Sequence, residues 1–487
     1  MRCTPLLLLL AALQVTTASR GETADEALVR AAAAVQAAEP RAQADPARPI
    51  FHVMTPAQWM NDPNGPIFYK GYYNLFYQLH PFSDQDGPKY WGHVRSRDLV
   101  KWEHLPIAIA PSGDKGEEAI WSGSCTINGL GQPMIFYTSI AKGKSAFDHA
   151  EQWAATSDGT MIHWQKSPAN PVLSEALHGD TKIYDWRDPF VFHEGKRTFL
   201  VAGGHLEQKG QAAVNIYEAQ SAALTNWIYR GVLFHIPAAP TAECPNFFKL
   251  GDQWVLFVSP YGKVEYFIGD FDSNSCRFTA RSRGVVDYGP SFYAPNTMLL
   301  DNGRRLMWGW VNGFPGGRGW NGCLSLPREL SISNDKLRQT PAPQLKKLRG
   351  NEVAWRNVSC EAGGKVLSLP GSNSLEIVAE VSLQGAKAVE LKLQRDPSDA
   401  NPIDIHFDGA QLTVLDVKIP WPSSAAAPNL KLHIFVDRAV LEVLADDAVS
   451  VTKTIPTFGA KASLKVSSIG GEARFKTIQA WPMRSIW

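Results

Sequence analysis

The stretch DPNGPIFYKGYYNLFYQ, Asp62 to Gln78, decides the fold because its plan recurs four more times along the chain. It reads as a polar motif, a short strand, a Gly-containing turn and an apolar or aromatic second strand, which is the signature of a β-hairpin. The other copies are SGSCTINGLGQPMIFYTS from Ser122, DPFVFHEGKRTFLVAG from Asp188, ECPNFFKLGDQWVLFVS from Glu243 and APNTMLLDNGRRLMWGW from Ala294. Their starts recur at intervals of roughly 50–65 residues, the length of a propeller blade.

A second piece follows several of these hairpins, a strand, a polar turn and a Trp. It appears as WGHVRSRDLVKW ending at Trp102, WAATSDGTMIHW at Trp164 and VNIYEAQSAALTNW at Trp227, while VEYFIGDFDSNSCRF carries Phe278 at its end. Two hairpins per unit give about four strands per blade. The sequence therefore predicts an all-β chain with a five-bladed β-propeller over residues 49–335. Blades are related by rotation about one axis, so equivalent points converge on a central channel. Asp62, Ser122, Asp188 and Glu243 are expected to face one another there, although each Asp alone would pass as turn chemistry.

Working outward, residues 336–350 (KLRQTPAPQLKKLRG) are basic, Pro-containing and without alternation, and read as a linker. Residues 351–487 alternate in the manner of strands, as in LEIVAEVSL and LKLHIFVDRAVLEVLAD, and predict a C-terminal β-sandwich. Asp437 and Glu442 are expected on a solvated face of it. At the other end, Met1-Arg2, an apolar run from Leu6 to Val15 and small residues after it read as a secretory signal peptide, residues 1–19. The product is expected to be exported, to the periplasm or outside the cell, with residues 20–48 as an Ala-rich, helical or loosely ordered tether outside the catalytic fold. The run from Leu6 to Val15 is too short to span a membrane and no later apolar stretch is long enough, so no membrane span is expected.

The chain is 44% hydrophobic and 20% charged with a formal net charge of +1, which offers no electrostatic footprint for nucleic acid and favours a neutral partner. Sixteen Trp and thirteen Tyr supply rings that stack on sugar faces, although most belong to core packing. Beyond Cys3 the cysteines are Cys125, Cys244, Cys276, Cys323 and Cys360, scattered and without a CxxC. Neither a zinc site nor a dense disulfide framework is indicated, and an odd number leaves at least one thiol unpaired.

Hydrolysis of a glycosidic bond passes through an oxocarbenium-like transition state and needs two carboxyl groups with split pKa values. Asp62, among Asn61, Pro63 and Asn64, has polar surroundings that suit an ionised nucleophile. Glu243, before Cys244-Pro245-Asn246 and apolar Phe247-Phe248, has surroundings that raise its pKa for acid work, and a nearby Asp62 carboxylate acts the same way. Asp188, with Arg187 beside it, offers a carboxylate and a forked cation to sugar hydroxyls, and so is read as a transition-state stabiliser.

WMNDPNG (59–65), LFYQ (75–78), WGH (91–93), WSGS (121–124), WRDP (186–189), ECP (243–245), DYG (287–289) and LPREL (326–330) together resemble glycoside hydrolase family 32, the invertases, inulinases and levanases. The resemblance spans nearly the whole chain after Pro49. It implies a five-bladed propeller followed by a β-sandwich, and release of terminal β-D-fructofuranosyl units from sucrose or fructans such as inulin and levan. Asp62 would be the nucleophile of a fructosyl-enzyme intermediate, Glu243 the acid/base and Asp188 the stabiliser. Substrate contacts transfer onto Asn61, Gln78, Trp121, Ser122, Arg187, Asp287 and Trp320; no metal or organic cofactor is implied. Two departures bear on the leaving-group side. Asp86 stands where many relatives carry a Trp, leaving Tyr90 or Trp91 to supply that aromatic wall, and Pro290 follows Gly289 where relatives have Lys. The weighed alternatives are a fructosyltransferase on the same site, a catalytically silent fructan-binding protein, and an inverting arabinan-degrading hydrolase on a similar propeller.

Overall fold

The computed structural model describes residues 21–147, 149–206, 211–395, 399, 401–421 and 429–487, so the expected signal peptide at 1–19 lies outside the described residues. Apart from one helix and short 3-10 turns, the described chain is β-structure. No described helix is long and apolar enough to cross a membrane.

Five sheets follow one another along the chain. Their first strands are Gln58–Tyr69, Glu117–Ile127, Ile183–Glu194, Glu243–Leu250 and Phe292–Leu299. Each pairs antiparallel with the next strand in sequence, as the hairpin repeat predicts, and two further strands complete each sheet. The first strands touch one another in a closed ring, first to second and on to the fifth, and the fifth touches the first. Trp320–Asn321 adds itself in parallel to Gln58–Trp59, tying late chain to the first sheet. The Trp-ended piece is a recurring turn. Trp102, Trp164 and Trp227 donate Nε1–H to the carbonyls of Leu99, Met161 and Leu224 at 3.0, 3.0 and 2.9 Å. Those three carbonyl-bearing residues are all left-handed, with φ of 65°, 62° and 56°.

Residues 353–482 form two six-stranded sheets. Inward residues of both, such as Ile377, Leu432 and Val443 from one and Leu391, Ile405 and Val466 from the other, share a single core. Period-two alternation places these side chains on one face of each strand.

Three expectations need correction. The Ala-rich segment is not a tether: Ala24–Ala44 is a helix with a Thr23/Glu26 capping box, and Ala27, Ala31, Val35 and Ala42 are buried in the core beside the first sheet. Its contact stripe is mostly alanine, which lets the helix approach closely while looking weakly amphipathic in sequence. Within 336–350, Lys336–Pro341 is the outer strand of the fifth sheet, paired with Arg328–Ser333, and Pro343–Leu348 is 3-10 helix. Its inward residues are Leu337 and Gln339, and the Gln339 amide donates to the Val286 carbonyl at 2.6 Å, so a polar side chain hides the alternation.

Asp437 and Glu442 are not on a solvated face: both are fully buried, where the C-terminal sheets meet the five-sheet unit. His52 bridges them, with Nδ1 2.8 Å from Asp437 and Nε2 3.1 Å from Glu442. Arg328 reaches Glu442 at 2.6 Å and Asp287 at 2.8 Å, and Thr452 donates to Asp287 at 2.8 Å. Burial alone would push the His52 imidazole down, but its bonds to the two carboxylates outweigh it and raise it to about 9. Glu442 is likewise opposed by burial, yet Arg328 and His52 hold it down to about 2.

Candidate active site

Each of the five first strands departs from its ladder at one matched place. The register shifts fall between Met60 and Pro63, Ile120 and Gly123, Arg187 and Phe190, Glu243 and Asn246, and Tyr293 and Asn296. Such irregularities re-aim side chains, and here they aim them inward. Aligned on the prolines and Gly123, one rung of the ring is Asn61, Trp121, Arg187, Glu243 and Tyr293. The next rung is Asp62, Ser122, Asp188, Cys244 and Ala294. Two glycines permit the crowding, since a Cβ on Gly123 would lie 1.9 Å from the Phe136 carbonyl and one on Gly203 1.6 Å from that of Ala242.

Above these rungs opens a cavity of about 550 Å³ whose walls include Asn61, Asp62, Gln78, Trp121, Arg187, Asp188 and Glu243. Asp62 is held by a relay of donors. Trp59 donates to Asn61 at 3.0 Å, Asn61 to Gln78 at 2.6 Å, Gln78 to the Ser122 hydroxyl at 2.5 Å, and Ser122 to Asp62 Oδ2 at 2.6 Å. Asn61 also donates to Asp62 Oδ1 at 3.2 Å, and Cys244 Sγ lies 3.6 Å from Oδ2. Burial pushes the Asp62 carboxyl up, while Ser122, Asn61 and Cys244 act against it.

Asp188 has φ of 60°, a left-handed backbone that costs roughly 1–2 kcal/mol in a non-Gly residue. Its N–H donates to Thr138 Oγ1 at 2.9 Å, and its Oδ2 accepts from the Cys244 N–H at 2.8 Å. Burial, opposed by Arg187, raises its carboxyl to about 6. Glu243 meets Arg187 Nη2 at 2.6 Å through Oε1 and the Tyr293 hydroxyl through Oε2. Burial is the largest influence on it; with Asp188 and Asp62 adding to it against Arg187 and Tyr293, the carboxyl rises to about 8. The Tyr293 oxygen accepts from the Tyr261 N–H at 3.0 Å and lies 2.9 Å from the Ser259 carbonyl, and its one proton is divided between that carbonyl and Glu243 Oε2, where it favours the ionised carboxylate.

The ring thus brings together Asp62, Asp188, Glu243, Asn61, Gln78, Trp121, Ser122 and Arg187. It does not bring Asp287, which is tied to Arg328 and Thr452 at the interface, nor Trp320, which is buried against Phe314 and donates to Asp45 at 3.0 Å. Nor do Tyr90 and Trp91 face the cavity. Trp91 is buried and donates to the Trp121 carbonyl, and Tyr90 packs against Phe82. The aromatic walls are Trp59, Trp121, Tyr293 and Trp310, with Trp59 and Trp310 edge to face at 5.8 Å; Lys89, paired with Asp86, also lines the cavity. One offset also emerges: the residue equivalent to Asp62 in the fourth sheet is Cys244, and Glu243 sits one rung higher. Tyr293 was not anticipated, although matching Tyr293-Ala294-Pro295-Asn296 against Glu243-Cys244-Pro245-Asn246 points to it. Among the described residues, Cys125, Cys244, Cys276, Cys323 and Cys360 are free thiols.

Comparison with known proteins points to one family. The N-terminal domain model of glycosyl hydrolases family 32 matches residues 52–341 and the C-terminal model of the same family matches 344–482. A sucrose-6-phosphate hydrolase of Zymomonas mobilis is 31% identical, over 90% of this chain and 92% of that protein. A Bacillus subtilis levanase is 29% identical, over 90% of this chain and 71% of its own length. Among solved structures, a variant of a Bombyx mori β-fructofuranosidase in complex with sucrose superposes with a TM-score of 0.81 at 26% identity, covering 94% and 98% of the two chains.

Proposed function

The chain belongs to glycoside hydrolase family 32, is therefore a glycoside hydrolase of the sucrose- and fructan-cleaving kind, and we propose that it releases terminal β-D-fructofuranosyl units with retention. The observation that carries this reading is the contrast between two carboxyls on one cavity, Asp62 fed by hydrogen-bond donors and Glu243 raised to about 8. In the first step Asp62 attacks the anomeric carbon while the Glu243 proton passes to the departing oxygen, giving a fructosyl ester and a free leaving-group sugar. In the second, Glu243 takes a proton from water, water attacks the anomeric carbon, and Asp62 leaves. Asp188 and Arg187 hold ring hydroxyls, and the Asp188 charge favours the oxocarbenium-like state. Between about pH 6 and 8 Asp188 is ionised while Glu243 keeps its proton.

The preferred substrate is an unphosphorylated sugar. Among the described lining residues, Asp62, Asp86, Glu118, Asp188 and Glu243 outnumber Lys89, Lys144 and Arg187, and Lys89 is already paired with Asp86. The five sheets act as blades of a five-bladed propeller and the C-terminal sheets as a β-sandwich; the apolar run near the N-terminus supports export by a signal peptide.

Fructose release from sucrose, sucrose 6-phosphate, inulin and levan should be measured side by side, with Asp62→Ala and Glu243→Ala as controls. A substantial residual rate in either variant would overturn the roles, and a preference for the phosphate ester the substrate reading. A fructose deficit against glucose at high sucrose would show transfer rather than hydrolysis.

A further inference from the structure

The channel inside the ring has a second mouth. Further along the same five strands, beyond the catalytic rungs, a cavity of about 420 Å³ is bordered by residues that include Thr126, His193, Phe248, Lys249, Thr297 and Arg305. The charge here is opposite to that of the first mouth: no Asp or Glu stands among the described lining residues, and Arg305 and Lys249 are cations.

Arg305 is the unusual member. It is 8% exposed, its guanidinium lies 4.3 Å over the Phe248 ring, and Nη1 donates to Thr297 Oγ1 at 3.0 Å. Thr297 in turn donates to Asn246 Oδ1 at 3.1 Å, so its oxygen is fixed for Arg305. Among the described residues Arg305 forms no ion pair. Its Nε is buried with no hydrogen-bond partner, and none of its bonds involves Nη2. Burying a cation without a counter-charge is costly, and burial alone pushes this guanidinium down to about 9. Nε and Nη2 form one edge of the guanidinium plane, the edge that takes the two oxygens of a carboxylate or phosphate in parallel hydrogen bonds.

We propose that this second mouth is a binding site for a small oxyanion, of the phosphate or carboxylate class, taken side-on by Nε and Nη2 of Arg305. Thr297 and Phe248 fix the plane of the fork. Lys249 and, when protonated, His193 add positive field at the entrance; His193 is otherwise engaged with Thr126 and Thr198, each at 3.0 Å. The site lies on different atoms from the proposed hydrolytic site and does not depend on that reading.

The test is a calorimetric titration of the full chain with inorganic phosphate and, separately, acetate, at constant ionic strength held with sodium chloride, paired with melting curves. Wild type should bind at least one of the two saturably, with Tm rising as the ligand exceeds Kd. Arg305→Lys keeps a charge but loses the fork and should bind at least about tenfold more weakly; Arg305→Met should not respond. A response to phosphate alone or acetate alone assigns the source. Absence of saturable binding in wild type, or an unchanged Kd in both variants, overturns the proposal. If Arg305→Met fails to fold, the Arg305→Lys comparison decides it.

Discussion

Replacing Tyr293 with Phe removes one hydroxyl from Glu243 and leaves the ring in place. That hydroxyl favours the ionised carboxylate, against the burial and the Asp188 and Asp62 charges that raise Glu243 to about 8. A hydrogen bond to a charged group contributes about 1.5–3 kcal/mol. The Tyr293 proton is divided between Glu243 and the Ser259 carbonyl, so the lower end applies. At about 1.4 kcal/mol per pH unit, the basic limb of kcat/KM should move up by about one unit, toward pH 9. The assay is initial-rate fructose release from sucrose between pH 4 and 10, below KM. At pH 6, where Glu243 is protonated in both proteins, kcat/KM should stay within about threefold. A limb that stays in place or moves down would show that Glu243 is not the group titrating there, and the acid/base assignment would fall with it.

At the interface, Arg328→Met leaves Asp287 and Glu442 buried without their shared cation, and removing one partner of such a cluster costs about 3–5 kcal/mol. Urea unfolding should show a loss of unfolding free energy of that size; a loss below about 1 kcal/mol would refute the account. The same cluster sets a pH window. His52 is raised from 6.5 to about 9, so its contribution is full below pH 6.5 and is lost as pH climbs toward 9. Glu442 is lowered from 4.5 to about 2, so its contribution is full above pH 4.5 and is lost as pH falls toward 2. His52→Gln should flatten the alkaline side of the Tm profile and, by taking one of its two cations from Glu442, also weaken the acid-side dependence; an unchanged alkaline slope would contradict this.

The hairpin repeat was legible because every sheet needs the same turn and the same inward first strand, so the period is written in residue types. Asp62, Asp188 and Glu243 were legible for the same reason. The one-residue offset of Glu243 is written in the spacing to the prolines, Asp62-Pro63 and Asp188-Pro189 against Glu243-Cys244-Pro245, but was hidden by matching the carboxylates themselves instead of the prolines. Buried Asp437 and Glu442 were misread because their partners His52 and Arg328 are distant in sequence, and an unpaired carboxylate is normally solvated. The docking of the N-terminal helix was missed because alanine stripes carry little apolar contrast, and the last strand of the fifth sheet because Gln339 faces inward.

The parallel pairing of Gln58–Trp59 with Trp320–Asn321 also constrains the order of assembly. Synthesis is vectorial, so the strand that carries Asp62 waits, with an open edge, until the second to fourth sheets and the first hairpin of the fifth have emerged. Closing so long a loop is slow relative to forming hairpins between sequence neighbours. Hydrolytic competence should therefore appear late in refolding, after most of the secondary structure. The exposed edge of that early sheet is the place where an incomplete chain is most open to pairing with another copy of itself.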